Sequence, residues 1–319
     1  MSFNRRHFLT LTSAAALAPR LSFASEVLSI VATTGMIADT AHRIGGAHVE
    51  VRALMGSGVD PHAYRQTRTD ITAMTRADLV LWHGLYLEAQ MEDFLVKLDR
   101  RRTAIPVADA MPKELLLSHE DYDGRFDPHV WMVPALWVNV ARRVAEVLSE
   151  AKPDAADDFA ANLKAFEGEL SALQTYGETV LATVPESARV LLTAHDAFGY
   201  FGRAFGYEVI GIQGISTESE AGLNRISSLV DMLVERKIGA AFVESSVSDR
   251  NIRALIEGAA AQDHTVSIGG ELFSDAMGAD GSYEATYIGM IDHNMTTIAK
   301  ALGGTVPERG LNGKLAVGS

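Results

Sequence analysis

Two histidines of the sequence stand in the same local setting. His62 lies in VDPHAY and His129 in DPHVWM, so each follows Asp-Pro and stands two positions before an aromatic residue. A histidine that only packs needs no such surroundings. For a ligand they are useful, because proline fixes the backbone and aspartate can accept a hydrogen bond that orients the imidazole. The repeat therefore indicates two metal ligands on similar loops.

Two further residues could complete such a site. His195 follows the apolar run VLLTA, and Asp275 follows VSIGGELFS, so all four residues lie where a strand or loop leads into a helix. In parallel sheets functional groups collect beyond the carboxyl ends of the strands. Three imidazoles and one carboxylate are an ordinary ligand set for a first-row divalent ion. Taken singly, His195 and Asp275 could instead be residues at helix starts, with Asp275 as an N-cap.

The other histidines have neighbours that repeat nothing. A single histidine in a loop is more often a surface residue than a ligand. We therefore expect a surface role for the following residues: His42, His48, His83, His119, His264 and His293.

The elements that must position these side chains follow an alternating pattern. Apolar, β-rich runs alternate with helical patterns in residues 25–152 and again in 186–319, which predicts two α/β lobes, each a mostly parallel sheet covered by helices. Between them, residues 153–185 carry apolar residues every three or four positions and no strand-like run. This segment is predicted to be one long helix that joins the lobes.

The first 24 residues have the pattern of an export signal. Arg5 and Arg6 precede a short apolar run, and SFA ends in the small residue of a cleavage site. The paired arginines with Phe8 and Leu9 favour the twin-arginine class over an ordinary secretory signal. No other run is long and apolar enough to predict a membrane span.

Composition narrows the classes of partner. The sequence contains no cysteine, which leaves out disulfides, thiolate metal sites and a lipidated cysteine, and predicts a soluble protein in the periplasm. The formal net charge of −13 argues against binding to nucleic acid or anionic lipid and is compatible with attracting cations.

Several motifs together resemble one protein family. VDPHAY, DPHVWM, TAHDAFGYF, GIQGISTESEAG, FVESSVS and GELFSDAMG are similar to those of the metal-binding solute receptors of ABC transporters, the TroA-like group called cluster A-I, which serves zinc, manganese and iron uptake. The resemblance covers nearly all of residues 25–319. It implies two lobes joined by one rigid helix, and metal ligands at His62, His129, His195 and Asp275. It also implies a monomeric, non-enzymatic receptor that delivers its ion to a membrane permease with an ATPase.

The sequence leaves the metal open between manganese and zinc. Relatives with glutamate at the third ligand position are associated with manganese or iron, whereas this chain has His195 there. Three nitrogen ligands favour zinc over manganese. Zinc-specific relatives often carry a long loop rich in histidine before the second ligand. The corresponding segment here, LLLSHEDYDGRF, is short, and this argues against zinc.

Two other functions fit parts of the sequence. An exported metallohydrolase could use the same site, although catalytic zinc usually keeps three protein ligands and an open position for water. In such an enzyme Glu244 could act as a base, but a structural role at a strand end is favoured. A receptor for an organic solute should instead present aromatic, arginine or amide groups in its cleft.

Overall fold

The computed structural model describes residues 27–100, 103–118 and 124–316. The predicted export signal, residues 1–24, lies outside the described residues, and so does His119. The helices of the described part are α1 Gly35–Gly45, α2 Arg68–Arg76, α3 Glu92–Asp99, α4 Pro134–Ala151, α5 Ala156–Leu181, α6 Gly199–Phe205, α7 Leu223–Arg236, α8 Arg250–Ala260 and α9 Tyr287–Ala301. None of these helices combines the length and apolar content needed to cross a membrane.

The N-terminal lobe is built on a four-stranded parallel sheet. Its strands are β1 Leu28–Ala32, β2 Val49–Ala53, β3 Leu79–Trp82 and β4 Ala104–Pro106, in the order β2-β1-β3-β4. Strand β3 is buried along its whole length, as expected for a strand with helices on both faces. The apolar side chains of β1 alternate between two hydrophobic clusters, with Ile30 in one and Val31 in the other.

The C-terminal lobe is also built from parallel strands. They are β5 Val190–Thr193, β6 Glu208–Gly211, β7 Ala240–Glu244 and β8 Ser267–Leu272. Strand β5 pairs with β6, and β7 pairs with β8, while β5 lies beside β7. The prediction of an α/β fold with parallel sheets is thus confirmed.

One long helix connects the lobes. Helix α5 has 26 residues, about 39 Å at 1.5 Å per residue, and it packs against α1, α4 and α9. It is shorter than the predicted segment, because Pro153–Ala155 forms a separate 3₁₀ turn and Pro185 disfavours helical backbone in the residue before it. The lobe boundaries at residues 152, 153, 185 and 186 stay predictions.

Hydrogen bonds cross from one lobe to the other beside the long helix. The Trp131 indole donates to the carbonyl oxygen of Ser274 at 2.7 Å, and the Tyr287 hydroxyl donates to the carbonyl oxygen of Trp131 at 2.8 Å. The Tyr200 hydroxyl donates to the carbonyl oxygen of Asp127 at 2.7 Å. Since Asp127 and Trp131 flank His129, and Ser274 precedes Asp275, these bonds hold the loops of the two lobes against each other.

Candidate metal centre

The structure brings the four predicted residues together in one buried cluster. One nitrogen from each of His62, His129 and His195 and one oxygen of Asp275 all lie within 4.8 Å of one another. No residue of the four is more than 2% exposed. Two of them come from loops of the N-terminal lobe and two from loops that follow β5 and β8, so the cluster lies between the lobes.

The spacing within the cluster suits a metal ion. The separations are 3.3 Å between Nε2 of His62 and His129, 3.4 Å from His129 to Asp275 and 3.2 Å from His195 to Asp275. Ligands in a tetrahedron at 2.0–2.1 Å from zinc would lie about 3.3 Å apart. In addition, Nε2 of His195 and Oδ1 of Asp275 are buried without a hydrogen-bond partner. A cation at the centre would satisfy both atoms.

The two Asp-Pro-His segments use their aspartates differently. Oδ1 of Asp127 accepts hydrogen bonds from the backbone N–H of His129 at 2.9 Å and from its Nδ1 at 2.7 Å, which leaves Nε2 to face the cluster. Asp60 accepts from the backbone N–H of His62 at 2.8 Å, but its other oxygen accepts from Thr217 of the opposite lobe at 2.5 Å. The expected orienting contact is therefore made to the ring of His129, whereas Asp60 orders the backbone of His62.

Glu244 orients the third histidine. Its carboxylate accepts from the backbone N–H of His195 at 2.9 Å and from Nδ1 of the same residue at 2.5 Å. Glu244 ends β7, which lies beside β5, and His195 follows β5. Sequence reasoning gave Glu244 a structural role without identifying its partner. The signal that could have found it is a single acid at the end of a strand that neighbours the strand of a ligand.

The ionisable side chains of the cluster shift the pKa values of one another. Burial lowers the pKa of His62 to about 3, so this imidazole is neutral. Burial acts in the same direction on His129, but Asp127 and Asp275 outweigh it and raise the pKa to about 9. Against burial, Asp275 and Glu244 raise the pKa of His195, and the histidines hold the pKa of Asp275 well below its usual range. A cation would therefore replace protons held by His129 and His195.

His83 lies inside the protein, so its predicted surface role is wrong. Its side chain is 0% exposed, its ring stands edge-on to Trp131 with centroids 5.0 Å apart, and its Nε2 donates to the carbonyl oxygen of Pro128 at 2.8 Å. Buried Glu88 accepts from the backbone N–H of His83 at 2.7 Å. His83 thus supports the loop that carries His129. The apolar residues before His83 in DLVLWHG were the sequence signal that could have predicted its burial.

The remaining described histidines lie away from the cluster. His42 is exposed and His48 pairs with Asp158 at 2.8 Å, in agreement with a surface role. His264 and His293 are partly buried and bind the backbone carbonyl oxygens of Ile238 and Glu271.

Known proteins match this chain over most of its length. The family described as zinc-uptake complex component A, periplasmic (ZnuA), matches residues 30–301. The manganese-binding lipoprotein MntA of Bacillus subtilis is 47% identical over 279 residues, which cover 88% of this chain and 91% of MntA. The zinc-binding protein TroA of Treponema pallidum is 43% identical over 273 residues, 86% of this chain and 88% of TroA. Its solved structure superposes with a TM-score of 0.84 and covers 86% of this chain and 99% of that one.

The comparisons correct the predicted location. A soluble periplasmic protein without a lipidated cysteine was expected, but MntA of Bacillus subtilis and MntA of Halalkalibacterium halodurans are both named lipoproteins. That expectation rested on the predicted export signal and on the absence of cysteine and of a second long apolar run, which do not determine how members of a family are held at a membrane. What the comparisons support is a location outside the cytoplasm.

The fold, the buried cluster and the matched length agree with the resemblance seen in the sequence motifs. This chain therefore belongs to the family described as zinc-uptake complex component A, periplasmic (ZnuA), and it is similar in sequence and fold to TroA of Treponema pallidum.

Proposed function

We propose that the protein binds one divalent transition ion, Mn²⁺ or Zn²⁺, between its lobes and delivers it to the membrane permease of an ABC transporter. The observation that carries the proposal is the buried cluster of three imidazoles and one carboxylate with mutual separations of a few ångströms. Relatives named for manganese and for zinc binding support both ions. His62, His129, His195 and Asp275 would be the ligands.

The enclosure of the cluster and its four protein ligands support a receptor rather than an enzyme. All four ligand side chains are enclosed by protein, and four protein ligands leave little room for the water that a catalytic zinc activates. The relatives carry the names of binding proteins, so the alternative of a metallohydrolase is not supported. A receptor needs a docking partner, and an ATP-driven permease is the partner that the family membership suggests. A monomer would suffice, since both halves of the cluster come from one chain.

The ligand assignment is tested by one substitution and its control. His129→Ala removes a proposed ligand from a site that is already folded, so the affinity for Zn²⁺ and Mn²⁺ should fall by more than about a hundredfold. This loss is larger than the 10- to 100-fold that is typical when a residue hydrogen-bonded to a ligand is mutated. His48→Ala removes a histidine that pairs with Asp158 on the surface and should leave the affinity unchanged. Titration calorimetry measures both. Equal affinities in the two variants would reject the assignment.

Export is proposed to use the twin-arginine route, on the sequence of residues 1–24 alone. Replacing Arg5 and Arg6 by lysine should then retain the precursor in the cytoplasm, because that translocase reads the arginine pair. Normal export of the unaltered protein in cells without this translocase would return the signal to the ordinary secretory class.

A further inference from the structure

The loop between β6 and α7, residues 212–222, is fixed at its base beside one of the cluster histidines. The backbone N–H of Asp196, which directly follows His195, donates to the carbonyl oxygen of Gly214 at 3.3 Å. The backbone N–H of Gln213 donates to the carbonyl oxygen of the residue before His195 at 3.0 Å. The base of this segment, called the cleft loop below, is therefore bound to both neighbours of His195 in the C-terminal lobe.

The tip of the cleft loop reaches the N-terminal lobe. The Thr217 hydroxyl donates to Oδ2 of Asp60 at 2.5 Å, and the Gln90 amide donates to Glu218 at 2.5 Å. Thr217 and Asp60 are half-buried, whereas the contact between Gln90 and Glu218 is exposed. A hydrogen bond is stronger where the surroundings exclude water, so the bond from Thr217 is the firmer of the two links between the lobes.

Asp60 passes this link on to His62. Its Oδ1 accepts from the backbone N–H of His62 at 2.8 Å, while its Oδ2 accepts from Thr217. Pro61 lies between them and has a fixed φ, so Asp60 and His62 move together as a short, stiff unit. For the other two histidines of the cluster a carboxylate bonds the ring itself. The placement of His62 therefore depends on how Asp60 is held.

We propose that Thr217 is a positioning residue for the metal ligand His62. Through Asp60, its hydroxyl holds His62 against the ligands of the C-terminal lobe, and breaking this bond precedes release of the ion. A hydrogen bond to a carboxylate is charge-assisted and stronger than one between neutral groups. The inference rests on the proposed function, since it concerns release of the same ion.

Two substitutions of Thr217 separate its hydroxyl from its shape. Thr217→Val keeps the shape and removes the donor to Asp60, whereas Thr217→Ser keeps the donor. The control is Thr183→Val, which removes a hydroxyl that accepts from the backbone N–H of Thr305 at 2.7 Å. Thr183 and Thr305 follow helices α5 and α9, and neither is next to a cluster residue in the sequence.

Release of Zn²⁺ into excess chelator can be followed by stopped-flow tryptophan fluorescence, because the Trp131 ring lies 5.1 Å from the ring of His129. Release from Thr217→Val should be about tenfold faster than from the wild type, the factor that corresponds to loss of one hydrogen bond to a charged group. Thr217→Ser and Thr183→Val should release the ion at the wild-type rate. Melting temperatures of the ion-free proteins are measured alongside, because a purely structural role predicts that release follows stability in every variant.

The inference is wrong if release from Thr217→Val is unchanged, or if Thr217→Ser releases the ion as fast as Thr217→Val does. Equally fast release from Thr183→Val would also overturn it, because release would then follow the stability of the whole fold. Failure of the unaltered protein to bind Zn²⁺ or Mn²⁺ would instead contradict the proposed function.

Discussion

Glu244 and His195 form a buried carboxylate–imidazole pair whose atoms lie 2.5 Å apart, although the residues are 49 positions apart in the chain. Because Glu244 accepts the Nδ1 proton, Nε2 of His195 is left facing Asp275 at 3.2 Å. Asp127 does the same for His129. Two of the three imidazoles are therefore turned toward the cluster by carboxylates from different parts of the fold.

Removing the carboxylate of Glu244 should weaken metal binding. In Glu244→Gln the side-chain shape is kept but the charge that orients His195 is lost, so the affinity for Zn²⁺ should fall about 10- to 100-fold. Glu271→Gln, on the neighbouring strand at an exposed position, is the control and should have no effect. Calorimetric titration of both variants measures this, and equal affinities would show that Glu244 does not act through His195.

Metal binding should release protons and weaken as the pH falls. In the ion-free protein His129 has a pKa raised to about 9, and that of His195 is also raised, so both hold protons at pH 7. A cation must displace them. The affinity should therefore rise with pH through the neutral range, and the contribution of His129 should level off above about pH 9 as this residue loses its proton. Calorimetry in buffers with different ionisation enthalpies should count up to two protons released for each ion. A pH-independent affinity between pH 6 and 8 would contradict this charge assignment.

Glu88 should make stability fall as the pH rises. Burial raises its pKa to about 7 from an ordinary value of 4.5, against hydrogen bonds from Thr33, His83 and Gly84. A raised pKa means that the folded state binds the proton more tightly. The stabilisation is therefore complete below pH 4.5 and is lost as the pH rises through about 7.

The isosteric variant Glu88→Gln isolates this contribution. Melting temperatures of the ion-free protein between pH 4 and 8 should show that the stability of the wild type, relative to Glu88→Gln, falls across this range. A difference that stays constant with pH would show that Glu88 does not titrate there.

Much of the fold could be predicted from the sequence because its signals are local. The apolar runs at β1 and β3 and the helical spacing within α5 depend only on neighbouring residues. The repeated Asp-Pro-His identified His62 and His129 for the same reason. His195 and Asp275 became identifiable because parallel strands place their carboxyl ends at one edge.

The remaining features of the site depend on contacts between distant residues. Asp60 and Asp127 lie in the same Asp-Pro-His sequence, yet Asp127 bonds the ring of His129, whereas the second oxygen of Asp60 accepts a hydrogen bond from Thr217 of the other lobe. The bond between Glu244 and His195 depends on which strands lie side by side. Neither the bond of Asp60 to Thr217 nor the bond of Glu244 to His195 can be predicted from the residues next to them in the sequence.

Anomalous scattering from crystals of the zinc-loaded protein tests the central claim most directly. We predict one zinc peak for each chain, about 2.0–2.2 Å from Nε2 of His62, His129 and His195 and from the Asp275 carboxylate. A zinc peak elsewhere in the chain, or one at this position that lacks any of the four residues as a ligand, would contradict the proposed site.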